Sequence, residues 1–360
     1  MIRFECDYAE GAHPKILDRL VQTNFEQTKG YGDDRHCEHA RQIIRRLCDD
    51  HRADVHFLVG GTQTNTTVIV SVLRPHQGVI SADSGHINVH ETGAIEATGH
   101  KVLALPAHDG KLSAAQVEEA VLAHWNDANR EHTVQPGMVY ISQPTECGTL
   151  YYKEELQRLS EVCRRYGIPL FIDGARLGYA LEAETNDLTL PDIARLCDVF
   201  YIGGTKVGAL FGEAVVILAD TLKQDFRYLM KRQGAMLAKG RVLGIQFETL
   251  FENGLYFEIS RHAVRMAMKI RDAFEAKGIS FLYPSPTNQQ FPILNDTQIA
   301  TLSEKYAFEY WTKVDMHHIA VRFCTSWATR EEDVDALIED LKNLDPSIGC
   351  NGNMNMVLCH

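Results

Sequence analysis

Residues 170–211, LFIDGARLGYALEAETNDLTLPDIARLCDVFYIGGTKVGALF, decide the architecture. Two short apolar runs, 168–172 and 198–202, each have the length of a buried strand. Each leads to a residue that packing does not explain. The first delivers Asp173 and, three positions on, Arg176; the second delivers Lys206 from a Gly-Gly-Thr loop. A carboxylate and a lysine at the C-terminal ends of buried strands stand where an open α/β sheet holds its ligand.

Working outward, further strands are expected in HFLVGG (56–61), GVISAD (78–83), HKVLALPA (100–107), MVYISQP (138–144) and EAVVIL (213–218). Seven strands, mostly separated by helices, predict a mainly parallel sheet covered on both faces. Helices are expected at 14–27, 35–48 and 153–166, the last with Gly167 as its stop. Ser113 and Gln116 have capping-box spacing. Beyond residue 218 the pattern changes to helices at 221–230 and 241–276, the second long enough to bridge two domains. A small α/β unit closes the chain: FLYPSPTNQQFPIL (281–294), a helix near 299–306, the strand HIAVRFCTSW (318–327), and a last helix capped by Thr329 and Glu332. The expected division is an N-terminal arm 1–14, a large domain 15–245, a small domain 246–347 and a tail 348–360 without periodicity.

Composition narrows the class. A net charge of −12 without a run of Lys or Arg argues against nucleic acid or an anionic membrane as main partner. No stretch approaches eighteen uncharged apolar residues, and residues 1–11 lack a signal pattern. Nine scattered cysteines without C-x-x-C suit a reducing, cytoplasmic setting rather than a disulfide framework or zinc site.

Glycines at 60 and 61 followed by Thr62-Gln63-Thr64-Asn65 at a helix start can cradle a phosphate, although Thr62 could simply cap that helix. The run is not G-x-G-x-x-G, so a dinucleotide fold is not favoured. With Lys206 to form a Schiff base and Asp173 to keep a ring nitrogen protonated, the group these residues suit is pyridoxal phosphate.

The ordered segments GGTQTN (60–65), SGHINVHETGA (84–94), SQPTECGTLY (142–151), FIDGARLGYAL (171–181), GGTK (203–206) and VRFCTSWATREEDVD (321–335) together resemble the threonine aldolase branch of the β-eliminating lyases. The likeness spans essentially the whole chain and is nearer the phenylserine-aldolase-like and low-specificity aldolases. It implies fold type I, the pyridoxal-phosphate transferase fold: a large domain around a seven-stranded sheet and a smaller C-terminal α/β domain. It also implies a homodimer or tetramer with shared active sites. By the same resemblance Lys206 is the Schiff-base lysine, Asp173 the partner of the ring nitrogen and His86 the residue stacked on the ring. Gly61, Thr62 and Thr205 hold the phosphate, helped by a basic residue, Lys239 in preference to Arg232. Arg176 lies near the ring hydroxyl or the substrate carboxylate, and Arg322 clamps that carboxylate. The loop at Tyr31 shapes the substrate pocket.

Two positions depart from the family. Cys6 stands where serine is common, so a carboxylate contact there is weakened. His90 stands where tyrosine is common and is a candidate second base. The reaction implied is retro-aldol cleavage of a β-hydroxy-α-amino acid (threonine, allo-threonine or phenylserine type) to glycine and an aldehyde. The rivals are β-elimination, or aromatic amino-acid lyase chemistry, on the same scaffold, and a binding protein without turnover. His36, His39, His317 and His318 lack completing ligands in sequence, so no metal is expected.

Overall fold

The computed structural model describes residues 1–344. At its centre lies a seven-stranded sheet in the order Asp54–Leu58, Glu213–Ile217, Val199–Gly203, Leu170–Asp173, Gln135–Ser142, Gln77–Ala82, Lys101–Leu105. Only Glu213–Ile217 runs against its neighbours. The fold is the mainly parallel α/β sheet expected from the sequence. Strand side chains alternate between two cores: Phe200 and Ile202 join one, Val199 and Tyr201 the other. A sheet buried on both faces needs such near-continuous apolar strands, and each fully buried Phe contributes about 2–3 kcal/mol.

Helix Lys153–Tyr166 shows how the outer layer forms. Leu156, Leu159, Val162 and Cys163 are its buried stripe. Glu154 and Glu155 open it, Arg164 and Arg165 close it, and Gly167 at φ 64° stops it. The Ser113–Gln116 capping box forms as expected.

Several boundaries differ from expectation. The first helix is Pro14–Gln22, ended by Thr23, whose hydroxyl donates back to Arg19 O at 2.8 Å. The region 221–230 becomes a short turn, Asp220–Leu222, and a helix, Phe226–Arg232, separated by Asp225 at φ 61°. The helix expected at 299–306 lies at Asp296–Ser303, drawn forward by the cap at Asn295. The long helix 241–276 is two helices, Arg241–Phe251 and Leu255–Ala276, because Asn253 (φ 57°) and Gly254 (φ 72°) take left-handed conformations. Thr329 does not cap the last helix, Glu331–Lys342. Its hydroxyl instead accepts the Ser326 N–H at 2.7 Å.

A separate core gathers Met266, Ile270 and Phe274 from helix Leu255–Ala276, Val321 and Phe323 from strand His318–Cys324, Leu337, and Phe4. Residues 2–8 are stitched into it. Ile2–Arg3 pairs with Tyr306–Ala307, Phe4 N donates to Ala307 O and Cys324 N donates to Phe4 O, both at 2.7 Å. We propose a large and a small domain from these separate cores, with helix Leu255–Ala276 lending Leu255 and Ala263 to the large core and Met266 onward to the small one rather than parting at 245; residues 345–360, the expected tail among them, lie outside the described residues. No described helix is long and apolar enough to cross a membrane.

Candidate active site

The sheet's topology brings the strand ends at Ser142, Asp173 and Gly203 to one cavity of about 540 Å³. Asp173 shares a face with Phe171 by the period of two, and Tyr140 pairs with Phe171 across the sheet. Tyr140 and Tyr201, on that face, both reach the acid. Tyr140 Oη donates to Asp173 Oδ2 at 2.6 Å, Tyr201 Oη to Oδ1 at 2.5 Å. Ala175 N–H adds a third donor at 3.0 Å and Asn65 Nδ2 a longer one at 3.3 Å. Asp173 is therefore a fixed acceptor at the cavity floor rather than the cap of the short helix Leu177–Leu181, whose cap position is Arg176.

Lys206 is carried by a tight hairpin. Gly204 N and Thr205 N both donate to Gly212 O, at 2.9 and 3.2 Å. A side chain at Gly203 would place its Cβ 2.2 Å from Ala175 O, so only glycine lets this strand pass the loop behind Asp173. Among the described residues Lys206 Nζ has no ion pair or hydrogen-bond partner, and the Tyr8 ring lies 6.0 Å away. Burial and the nearby Arg176 charge pull its pKa below the usual lysine range, against the opposing charges of Asp7, Asp173 and Glu213.

Arg176 is committed to a partner that sequence reasoning did not single out. Its Nε donates to Asp7 Oδ2 at 2.6 Å and its Nη2 to Oδ1 at 3.0 Å. Asn288 Nδ2 also donates to Asp7, at 2.9 Å. Burial would raise the Asp7 carboxyl, but Arg176 and Lys206 outweigh it and lower it to about 2. Both arms of Arg176 are thus spent within the protein, leaving Nη1 for a cavity ligand.

His86 lies at the rim, its Nδ1 2.8 Å from Glu91 Oε1. Glu91 Oε1 also accepts from Asn65 at 2.7 Å, so a buried chain runs from His86 through Glu91 and Asn65 to Asp173. Burial lowers the imidazole's pKa, yet Glu91 and Asp173 raise it further, for a net upward displacement. Glu146 accepts from the His86 N–H at 3.0 Å and from Ser142 Oγ at 2.7 Å. His90, its ring centre 5.6 Å from that of His86, is displaced downward by burial, His86 and Arg322.

Arg322, on strand His318–Cys324, also lines the cavity. It pairs with Glu309, donates to Gln289 Oε1 at 3.0 Å and lies 5.3 Å over the Trp311 ring. The helix after Gly60 supplies the remaining wall. Gly60, not Thr62, is its cap position, so the amides of Gly61 and Thr62 begin the helix without an acceptor inside it. Thr205 Oγ1 accepts from Gly212 N at 3.0 Å and donates to Glu213 Oε1 at 2.9 Å.

Lys206, Asp173, His86, His90, Gly61, Thr62, Thr205, Arg176 and Arg322 therefore meet in one cavity. Cys6, Tyr31 and Lys239 do not line it. Cys6 is half-buried beside it in sequence, where Tyr8 takes the lining position. Tyr31 is exposed and lies 4.8 Å under Lys231 Nζ, on a loop whose amide bonds Ala238 O, next to the exposed Lys239. Asp7 was missed because its partner Arg176 is remote in sequence, and Glu91 and Glu309 because nothing in the local pattern marks the contacts with His86 and Arg322; Asn65, read with the phosphate-cradle run, meets Glu91 and Asp173 instead. Glu213 left a signal, as a buried charge heading an apolar strand. Of the histidines outside the site, His36 and His39 both meet Glu248 at 2.7 Å, and His39, Glu248 and Glu252 offer ligand atoms within 4.8 Å of one another.

A family model described as beta-eliminating lyase matches residues 6–297. A low specificity L-threonine aldolase of a Pseudomonas species is 28% identical over 346 residues, spanning 94% of this chain and 97% of its own. A solved threonine aldolase of Leishmania major is 48% identical with a TM-score of 0.93, covering 96% of this chain and 99% of its own. A Thermus thermophilus aspartate aminotransferase is only 14% identical but superimposes with a TM-score of 0.70 over 96% of this chain and 91% of its own, a likeness of fold.

Proposed function

The chain belongs to the β-eliminating lyase family, and from that premise we propose that it cleaves the Cα–Cβ bond of a β-hydroxy-α-amino acid of threonine type, releasing glycine and an aldehyde. The observation that carries the reading is Lys206: an amine with lowered pKa and, among the described residues, no ion pair, in one cavity with Asp173 and Arg322.

The family's enzymes use pyridoxal phosphate, and the residues fit it. Lys206 would hold its aldehyde, Asp173 its ring nitrogen, His86 one ring face, and the amides of Gly61 and Thr62 with Thr205 its phosphate. When bound, that group supplies an electron sink for the pair released at Cα.

The protein supplies the rest. Arg322 binds the substrate carboxylate through its planar fork, for which Glu309 must yield. Holding the carboxylate at Arg322 limits rotation about the Cα–N bond and so orients Cα and its β-hydroxyl within the cavity. His90, whose pKa is displaced downward, is neutral near pH 7 and takes the β-hydroxyl proton. His86 is held by Glu91 in one tautomer, its Nδ1 occupied, and keeps the ring in place. Arg176 holds the floor through Asp7 and offers only Nη1.

We further propose a homodimer or tetramer in which Tyr31 and Lys239 serve the neighbouring subunit's cavity. Their exposure and their position on one joined surface support this, as do Phe25 and Tyr228, 95% and 78% exposed. A reducing, cytoplasmic setting goes with it, supported by the free thiols among the described residues.

The test adds pyridoxal phosphate and L-threonine, L-allo-threonine or β-phenylserine, and measures glycine with the matching aldehyde. Equal amounts of both, abolished together with the visible cofactor band in Lys206→Ala, are expected. Pyruvate and ammonia, or turnover that survives Lys206→Ala, would overturn the reading.

A further inference from the structure

Glu213 has no part in the chemistry described above, yet it faces the cavity where the phosphate cradle begins. It is 3% exposed, heads the one antiparallel strand of the seven-stranded sheet, and pairs with Leu58, two residues before Gly60. Oε1 accepts the Thr205 hydroxyl; Oε2 is buried without a hydrogen-bond partner among the described residues. A buried carboxyl oxygen left unmatched costs stability unless something else claims it.

The proton count of Thr205 makes the case. A threonine hydroxyl has one proton and two lone pairs. With the Glu213 carboxylate accepting that proton, and Gly212 N–H occupying one lone pair, Thr205 has nothing to donate to an anion. A second negative charge beside the same helix start would also repel a phosphate ester. Both problems vanish if Glu213 is the neutral acid. Its O–H then donates to Thr205 Oγ1, and the Thr205 proton turns to the ester.

We infer that phosphate-ester binding at Gly61 and Thr62 is coupled to uptake of one proton by Glu213, which with Thr205 forms a proton-gated anion reader. This rests on the cofactor reading above. The groups facing Glu213 are Lys206 on its own hairpin, Asp173 across the sheet, and the phenols of Tyr201 and Tyr256. Helix Arg241–Phe251 brings apolar Leu243 and Phe247 against Gly212. Burial, with Asp173, raises the acid against the pull of Thr205 and Lys206, in the direction the inference needs.

The probe is pyridoxamine 5′-phosphate, which carries the ester but no aldehyde for Lys206. Its Kd is measured on cofactor-stripped full-length protein from pH 6.5 to 9.5, above most of the ester's own ionisation near pH 6. Wild-type affinity is expected to fall by up to tenfold per pH unit at the alkaline end. Glu213→Gln, a neutral mimic that still donates to Thr205, is expected to match wild type within about threefold at pH 7 and to lose the slope. Calorimetry of wild type at pH 8 in two buffers of different ionisation enthalpy should show proton uptake that pyridoxamine, lacking the ester, does not. The inference falls if Glu213→Gln keeps the wild-type slope, if the variant fails to bind, or if no proton is taken up. In those cases wild-type binding of the phosphate form leaves the cofactor reading standing. Binding of neither form at any pH would remove both.

Discussion

Replacing Asp7 by Asn tests whether the Asp7–Arg176 pair, rather than its shape alone, holds the cavity floor. Asp7 is fully buried and accepts three hydrogen bonds, two from Arg176 at 2.6 and 3.0 Å and one from Asn288 at 2.9 Å. Asn keeps the outline but turns one oxygen into a donor facing a guanidinium or another amide. It leaves the Arg176 charge uncompensated in a low-dielectric wall. Breaking a buried pair in this way costs about 3–5 kcal/mol. The charge-linked part follows from the carboxyl itself. Its pKa, lowered from 3.8 to about 2, adds stability above the unfolded value that is lost as pH falls through the folded one. At about 1.4 kcal/mol per tenfold change in proton affinity, that part is about 2.5 kcal/mol at neutral pH. Roughly 1 kcal/mol of it is gone by pH 3. Urea unfolding at pH 7, with an m-value of roughly 3 kcal/mol/M, should show a midpoint lowered by about 1 M or more. Repeated toward pH 3, the gap between wild type and variant should narrow. A loss under about 1 kcal/mol at pH 7, or a gap that widens in acid, would refute the reasoning.

Three further outcomes follow from the same site. Arg322→Lys loses the planar fork on the substrate carboxylate and should raise KM about 10–100-fold with a smaller change in kcat; an unchanged KM would remove Arg322 from that role. Glu309→Gln frees Arg322 from its competitor, so KM should fall several-fold; a rise would mean that Glu309 orients Arg322 rather than competing for it. Glu91→Gln removes the charge that raises His86, so the His86 ring should titrate at lower pH in NMR. Because a raised histidine stabilises the fold below its unfolded pKa and loses that contribution as pH rises through the folded one, the variant should also lose stability on the acid side of neutrality. An unmoved His86 titration would exclude the Glu91 contact in solution.

How legible all this was in the sequence depended on the range of each interaction. Lys206 and Asp173 declared themselves because a charged side chain closing an apolar run has no packing explanation, and the strand ends then had to converge. Asp7 could not, since its partners Arg176 and Asn288 lie 169 and 281 positions away. The two phenols on Asp173 were half visible: Tyr140 and Tyr201 each alternate onto its face, but only the register across the sheet shows that they meet there. The break at Asn253-Gly254 was written in residues that tolerate left-handed backbone, yet periodicity alone carried the helix through them. Thr329 was misread because a hydroxyl three residues before a glutamate serves a turn as readily as a cap.

The stitching of residues 2–8 bears on the order of events at the ribosome. This segment leaves the exit tunnel well before Asn288, Ala307 and Cys324, which hold it together with Arg176. A segment synthesised before its partners therefore locks only after them. The large sheet can assemble while its lysine and acid are already near each other, but the cavity floor is braced by Arg176 alone until translation has passed residues 288 and 324. A pause or truncation before that point would release a chain whose sheet is built and whose Arg176 still lacks one of its walls, an intermediate that proteases and chaperones would see and the finished enzyme would not present.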